Sequence, residues 1–175
     1  MTTAPSPASV RLGTWTADTD RSTAAFTVTN LGFIKVDGSV PIEAATLRVA
    51  ESGEQVEVHA RMRASGFSTG SERRDAHLRE PRFLDTEQYP DITFTSTTLV
   101  PAGDGWRVDG TLTLKGRSTP ITLRTVSVEF DDSSARVRAV GQVDRHQVGL
   151  TYGPNFAIGR IATVRLDVQL THGAE

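Results

Sequence analysis

Along most of the chain apolar and polar residues alternate with a period of two, which is the spacing of a half-buried β-strand, because successive strand side chains point to opposite faces. The pattern is clearest over 55–65, where Val56, Val58, Ala60, Met62 and Ala64 share one side and Glu57, His59, Arg61, Arg63 and Ser65 the other. Trp106, Val108, Gly110, Leu112 and Leu114 alternate in the same way with Arg107, Asp109, Thr111, Thr113 and Lys115. So do Val164, Leu166, Val168 and Leu170 with Arg165, Asp167, Gln169 and Thr171. Each run predicts an antiparallel strand with one face in a core and one in water. Further strands are expected at 12–18, 22–30, 35–41, 44–50, 91–100, 119–130 and 135–144. Turn signals punctuate them at Asp37-Gly38, Ser52-Gly53, Gly103-Asp104-Gly105, Lys115-Gly116 and Asp131-Asp132-Ser133-Ser134. Within 119–130 the apolar phase slips from Ile121 and Leu123 to Val126, Val128 and Phe130, and a slip of one residue reverses the faces unless a bulge absorbs it. A β-bulge is therefore expected near Arg124–Thr125.

One segment breaks the rhythm. Ser71 and Glu72 ahead of Arg73-Arg74-Asp75-Ala76-His77-Leu78-Arg79-Glu80, with Pro81 behind, bracket about two turns of helix over 71–80. A long meander of one-faced strands satisfies its edges by closing on itself, so an all-β, antiparallel barrel with one short helix is predicted, its interior wide enough to enclose a ligand. The chain of 175 residues suits one domain. Residues 1–11, rich in Pro, Ser, Thr and Ala, read as a flexible tail, and 12–175 as the domain. That N-terminal stretch carries neither a basic start nor an apolar run of signal-peptide length, so a cytoplasmic location is expected, with no transmembrane segment.

Composition excludes several chemistries. A formal charge of −2 provides no net field toward nucleic acid, so no nucleic-acid partner is expected. The absence of cysteine removes disulfides, thiolate nucleophiles and Cys-ligated metals. Gly66-Phe67-Ser68-Thr69-Gly70 is a literal G-x-S-x-G between a predicted strand and a predicted helix. A nucleophile elbow stands on a parallel α/β sheet with repeated crossover helices, however, and the single helix here makes a turn leaving the strand the better reading. His77 with Asp75 would diverge on a helix, and Asp144 with His146 would share a strand face but supply only two metal ligands. His59 falls on a solvent face and His172 near the end. Glu43, Asp75, Asp85 and Asp91 read as salt-bridge or cap residues before catalysts. No cofactor motif and no metal site is expected.

The densest charge lies in Arg73, Arg74, Asp75, His77, Arg79 and Arg82. It reads either as a solvated helix with internal ion pairs or as a basic rim at a barrel mouth. Here the sequence also becomes recognisable. Ser68-Thr69-Gly70, Arg74-Asp75-Ala76-His77-Leu78, Phe83-Leu84-Asp85 and Tyr89-Pro90-Asp91-Ile92-Thr93-Phe94-Thr95-Ser96 together resemble the signature of the YceI-like family of polyisoprenoid-binding, lipocalin-like proteins. Trp15-Thr16-Ala17-Asp18 and Ala25-Phe26-Thr27-Val28 resemble its opening strands. Gly110-Thr111-Leu112-Thr113-Leu114-Lys115-Gly116 with Thr119-Pro120-Ile121 resembles its central hairpin, and Gly141, Arg145 and Gly149 its late strand.

The resemblance implies an eight-stranded antiparallel, lipocalin-like barrel over about residues 12–171, binding a long-chain lipid, typically isoprenoid, often as a homodimer and without a shared catalytic apparatus. Aromatic or His side chains common in the family give way to Asn30, Val40 and Val148, which implies a roomier pocket. The expected function is a non-enzymatic binding or carrier protein for an isoprenoid, isoprenoid quinone or fatty-acid-like lipid. Its expected lining is Phe26, Val28, Val58, Met62, Phe94, Val108, Leu112, Leu114, Leu123, Leu166 and Val168, with Phe67, Phe83, Phe156 and Ile158 at the mouth. Arg74 or His77 would meet a polar head group. The alternative is a barrel enzyme or stress-response factor acting on a lipid or polyketide-like molecule in the same pocket.

Overall fold

The computed structural model describes residues 10–50, 55–150 and 159–173. Ten strands, all paired antiparallel, form one sheet: β1 (Gly13–Ala17), β2 (Thr23–Asn30), β3 (Ile34–Val40), β4 (Ile42–Val49), β5 (Val56–Arg63), β6 (Asp91–Ala102), β7 (Gly105–Leu114), β8 (Arg117–Phe130), β9 (Ser134–Asp144) and β10 (Ile161–His172). A helix, α1 (Glu72–Leu78), lies between β5 and β6.

The ten segments fill eight positions of a closed barrel. β1, β4 and then β5 to β10 run in spatial order, and β1 pairs with β10 to close the ring. β2 continues β1 after a 3₁₀ turn at Thr19–Arg21, so that the lower end of β10 meets β1 through Leu170, Thr171 and His172 while its upper end meets β2. β3 and β4 are likewise two halves of one position, interrupted by Pro41, which has no N–H to give a ladder. At the upper end β3 does not reach β5. A single antiparallel bridge, Ser39 with Ser68, spans the gap.

Burial grades along the barrel axis. At the lower end Trp15, Leu47, Val49, Trp106, Val128 and Leu170 form a closed core. Phe130 meets Trp15 edge-on at 5.1 Å and Trp106 at 5.5 Å, so both tryptophans and this ring plug that end. Val10 is buried in the plug, and the Trp15 indole donates to the Arg11 carbonyl at 3.0 Å. Residues 10 and 11, grouped by composition with the tail, therefore pack with the barrel; residues 1–9 lie outside the described residues. Higher up, inward residues such as Val58, Ala60, Leu112, Val164 and Leu166 are only partly buried although they face the axis, because they border a void.

The β-bulge lies one step later than expected. The β8–β9 register shifts between Thr125 and Ser127, and Val126 points outward at 69% exposure instead of joining the inner face. The cause is non-local: Thr125 keeps the inward phase of Ile121 and Leu123 and its hydroxyl oxygen accepts from the Trp106 N–H at 2.8 Å. Asp37-Gly38 is also not a turn. It lies inside β3, while the β2–β3 turn falls at 31–33, with Leu31 and Gly32 at positive φ. Gly38 is needed where it is because the Phe26 ring lies over it, in space a Cβ would occupy.

Candidate ligand cavity

The barrel encloses a cavity of about 610 Å³, well inside the ~300–1,000 Å³ range of small-molecule sites. On β10 its wall takes every second residue from Ala162 to Leu170. At ~3.3 Å per residue and a strand tilt of ~40°, that run corresponds to a depth of roughly 20 Å. The lower end of this run, at Leu170, belongs to the closed core, so the hollow part is shorter than the wall.

Every expected lining residue that can be described stands on the wall. Phe26 and Val28 come from β2, Val58 and Met62 from β5, Phe94 from β6, and Val108, Leu112 and Leu114 from β7. Leu123 comes from β8, and Leu166 and Val168 from β10. Strand parity brings them together, since each is in phase with its neighbours on one face. Phe67 and Phe83 line the upper end, and Phe67 stacks on Phe26 at 4.5 Å. Phe156 and Ile158 lie outside the described residues. Asn30, Val40 and Val148 all line the cavity, and the Asn30 side-chain oxygen accepts from the Gly159 N–H at 3.3 Å. Gly110 lets Phe94 lie flat against the wall, since a Cβ there would sit 2.6 Å from its ring.

The upper end is built by α1 and its flanks. Ser71 caps the helix by accepting from the Arg74 N–H at 3.3 Å, and the helix ends at Leu78, earlier than the expected 80, because the chain turns back to bond Leu84 N–H to the Leu78 carbonyl. Asp75 is buried, and its Oδ1 accepts from the Thr69 hydroxyl at 2.6 Å and the Thr69 N–H at 2.9 Å. The Thr69 hydroxyl bond is the main influence holding this carboxyl below the usual range, against the opposing effect of burial. Thr69 in turn accepts from Arg74, Nε to the hydroxyl at 2.8 Å and Nη2 to the carbonyl at 3.0 Å. Arg79 ties α1 to the segment after β5 through the Ser65 and Phe67 carbonyls. Arg74, His77 and Arg82 line the upper end of the cavity from this side.

Arg145, on the β9–β10 connection, is a further cavity residue, one that the sequence alone does not mark for the site. It is buried, lines the cavity, and donates to the Gly159 carbonyl at 3.0 Å and the Leu150 carbonyl at 2.6 Å. Burial lowers its pKa against the favourable field of Asp144. Ala135, Val137, Ala139 and Val143 point inward along β9, but Arg145 lies one residue past its end, in a turn, so strand parity does not reach it.

Other candidates resolve differently. Asp144 and His146 do not share a strand face, because β9 ends at Asp144 and His146 lies in the following turn. Asp144 accepts from the His146 N–H at 3.0 Å and from Arg160 at 2.8 Å. Glu43 bridges Arg61 and Arg63, as a salt-bridge residue. Ser68 is exposed and spends its backbone on the bridge to Ser39, not on a strand-to-helix elbow. Among the described residues no group of three His, Asp or Glu converges on a point, and no helix is long and apolar enough to cross a membrane.

Residues 15–171 match the YceI-like domain family. The chain belongs to this family. Protein YceI of Escherichia coli strain UMN026 is 33% identical over 99 residues, which cover 56% of this chain and 52% of that protein. Protein YceI of Salmonella arizonae is 31% identical over the same length. The matched stretch thus spans about half the length of these curated relatives. Among solved structures, Burkholderia cenocepacia BcnA superposes with a TM-score of 0.79 at 17% identity, covering 87% of this chain and 98% of that one. A structure from Saccharophagus degradans, described as a polyisoprenoid binding domain implicated in plant cell wall breakdown, gives a TM-score of 0.69 at 14% identity, covering 93% and 100%. At these identities the likeness is one of fold, and this YceI-like chain shares the eight-position barrel.

Proposed function

We propose that this YceI-like protein is a non-enzymatic binding or carrier protein that holds one long-chain apolar ligand, an isoprenoid, isoprenoid quinone or fatty-acid-like lipid, along the barrel axis. The observation that carries the reading is the cavity itself: about 610 Å³, walled by alternate apolar residues of the strands and stopped at one end by Trp106 and its neighbours. Each chain methylene moved from water into it is worth ~0.8 kcal/mol, so a long hydrocarbon has ample driving force without polar anchors. Small inward residues, Ala45, Ala60, Ala139 and Ala162, keep the wall thin where a chain would pass. Membership of the family and the barrel shared with the polyisoprenoid binding domain from Saccharophagus degradans support the same ligand class.

Native mass spectrometry of freshly purified protein, followed by solvent extraction of whatever is bound, tests this reading. The expected result is a stoichiometric adduct whose mass belongs to a long-chain lipid. A protein that stays at its bare mass, and that takes up no added lipid after incubation with a panel of prenols, quinones and fatty acids, would overturn it.

A further inference from the structure

A long ligand needs a way into the cavity, and most of the barrel offers none. The lower end is stopped by Trp15, Trp106 and Phe130. Eleven residue pairs hold β9 to β10. Leu84 and Val148, which line the cavity from connections at its upper end, are buried. The exception is the seam between β3 and the segment that follows β5. Its lower limit is the bond from the Arg63 N–H to the Pro41 carbonyl at 3.1 Å, and above that Ser39 and Ser68 exchange backbone bonds at 2.8 and 2.9 Å. From there to the top of β3, among the described residues, no backbone bond joins the strand to this side.

The two sides of the seam are tied to different elements. β3 is bonded to β2, whereas Arg79 ties the Ser65 and Phe67 carbonyls to α1, and Arg74 ties Thr69 to it. One aromatic contact spans the seam on its inner side: the Phe26 ring lies over Gly38 of β3 and stacks on Phe67 at 4.5 Å. The cavity residues beside it, Phe26, Val36, Phe67 and Thr69, are only half-buried, so solvent already reaches the wall here.

We propose that the ligand enters and leaves sideways through this seam, with the Phe26–Phe67 stack and the Ser39–Ser68 pair as the latch that opens. This rests on the reading that the cavity holds a long apolar chain. Local opening is drawn from the parts of a fold with the fewest backbone bonds and buried contacts, and here one bridge and one ring contact part while every strand ladder stays intact. A hydrocarbon passing between the rings replaces their mutual contact with chain contact, which favours the open form while the ligand is in transit.

The chain has no cysteine, so the double variant Ser39→Cys, Ser68→Cys forms one disulfide and no other within the chain. Residues that exchange both backbone bonds have Cα atoms ~5.5 Å apart, within disulfide reach. Stopped-flow mixing of delipidated protein with cis-parinaric acid gives the association rate, and transfer of bound probe to excess phosphatidylcholine vesicles gives the release rate. In the oxidised variant both rates fall about tenfold or more with little change in dissociation constant, and reduction restores them. Phe67→Ala raises both rates severalfold. An oxidised variant, its thiols shown by titration to be consumed, that exchanges probe at the parent rate overturns the latch while leaving the carrier reading in place. Should the disulfide not form, Phe67→Ala decides: unchanged rates, or faster release without faster association, which marks lost contact area alone, overturn the latch. Failure of the parent protein to bind the probe would count against the carrier reading, and the latch falls with it.

Discussion

Replacing Ala60 with phenylalanine separates a hollow barrel from a filled one. Ala60 lies in mid-barrel on β5, paired with Ala45 of β4 and Phe94 of β6, and lines the cavity. The variant adds about six ring carbons to the void. If these displace about four chain methylenes, at ~0.8 kcal/mol each, the ligand loses ~3 kcal/mol, or roughly 100-fold in affinity. The apo protein should move the other way. Filling an existing cavity adds about 0.5–2 kcal/mol, and for a domain of this size each kcal/mol raises the melting temperature by roughly 2–4 °C. Probe titration on delipidated protein gives the first quantity and scanning calorimetry the second. If the inward residues instead met in a solid core, the new ring would overpack it, with ~1–3 kcal/mol of destabilisation. A lower melting temperature with probe affinity unchanged would mean that the barrel interior is already filled.

Thr125→Val removes the acceptor of the Trp106 N–H and should destabilise the fold by ~1–3 kcal/mol in urea titrations. Val126→Lys should fall within about 0.5 kcal/mol of the parent, while Val128→Lys, two residues on but inward, should prevent folding, as circular dichroism would record. Trp15→Ala empties the plug and should lower stability by ~3–5 kcal/mol in the same titrations. Acid titration followed by melting temperature probes the carboxylates. Asp75, Asp109, Asp131 and Asp167 are held below the usual range by bonds from the Thr69 hydroxyl, the Thr122 hydroxyl, the Ser133 N–H and Arg136 respectively. The unfolded chain therefore binds protons before the folded one as pH falls. Their stabilisation is complete above the ordinary carboxylate value of about 4 and is lost as pH drops through and below it.

Strand positions and the inward set were legible in the sequence because both follow from a period of two. That arithmetic correctly put Val58, Leu112 and Leu166 on one surface though they lie on strands far apart in the chain. It stops short of Arg145, which follows the last residue of β9 and is set by its bonds to the Gly159 and Leu150 carbonyls. What stayed hidden depends on contacts between distant residues. The bulge is set by a bond from Trp106 to Thr125, 19 residues apart, so the slip was visible locally but its position was not. Whether inward side chains meet or leave a void depends on how the ring closes, and the two broken positions, β1 with β2 and β3 with β4, show themselves only in the pairing. The plug of Trp15, Trp106 and Phe130 brings together rings from three separate strands, and no local pattern marks them as partners. At the upper end, local pattern places Thr69 in a turn and Arg74 and Asp75 on a charged helix, and their shared bonds emerge only once the segment after β5 folds back beside α1.

The central claim is that a hydrocarbon chain lies inside this barrel and not on its outer face. Crystals grown with a terminally brominated long-chain alcohol test it directly, since the anomalous signal of bromine marks the chain end. The expected result is one peak enclosed by Phe94, Leu112, Leu123 and Leu166, above Trp106. A peak on the outer face of the strands, with the interior closed by repacked side chains, would contradict it.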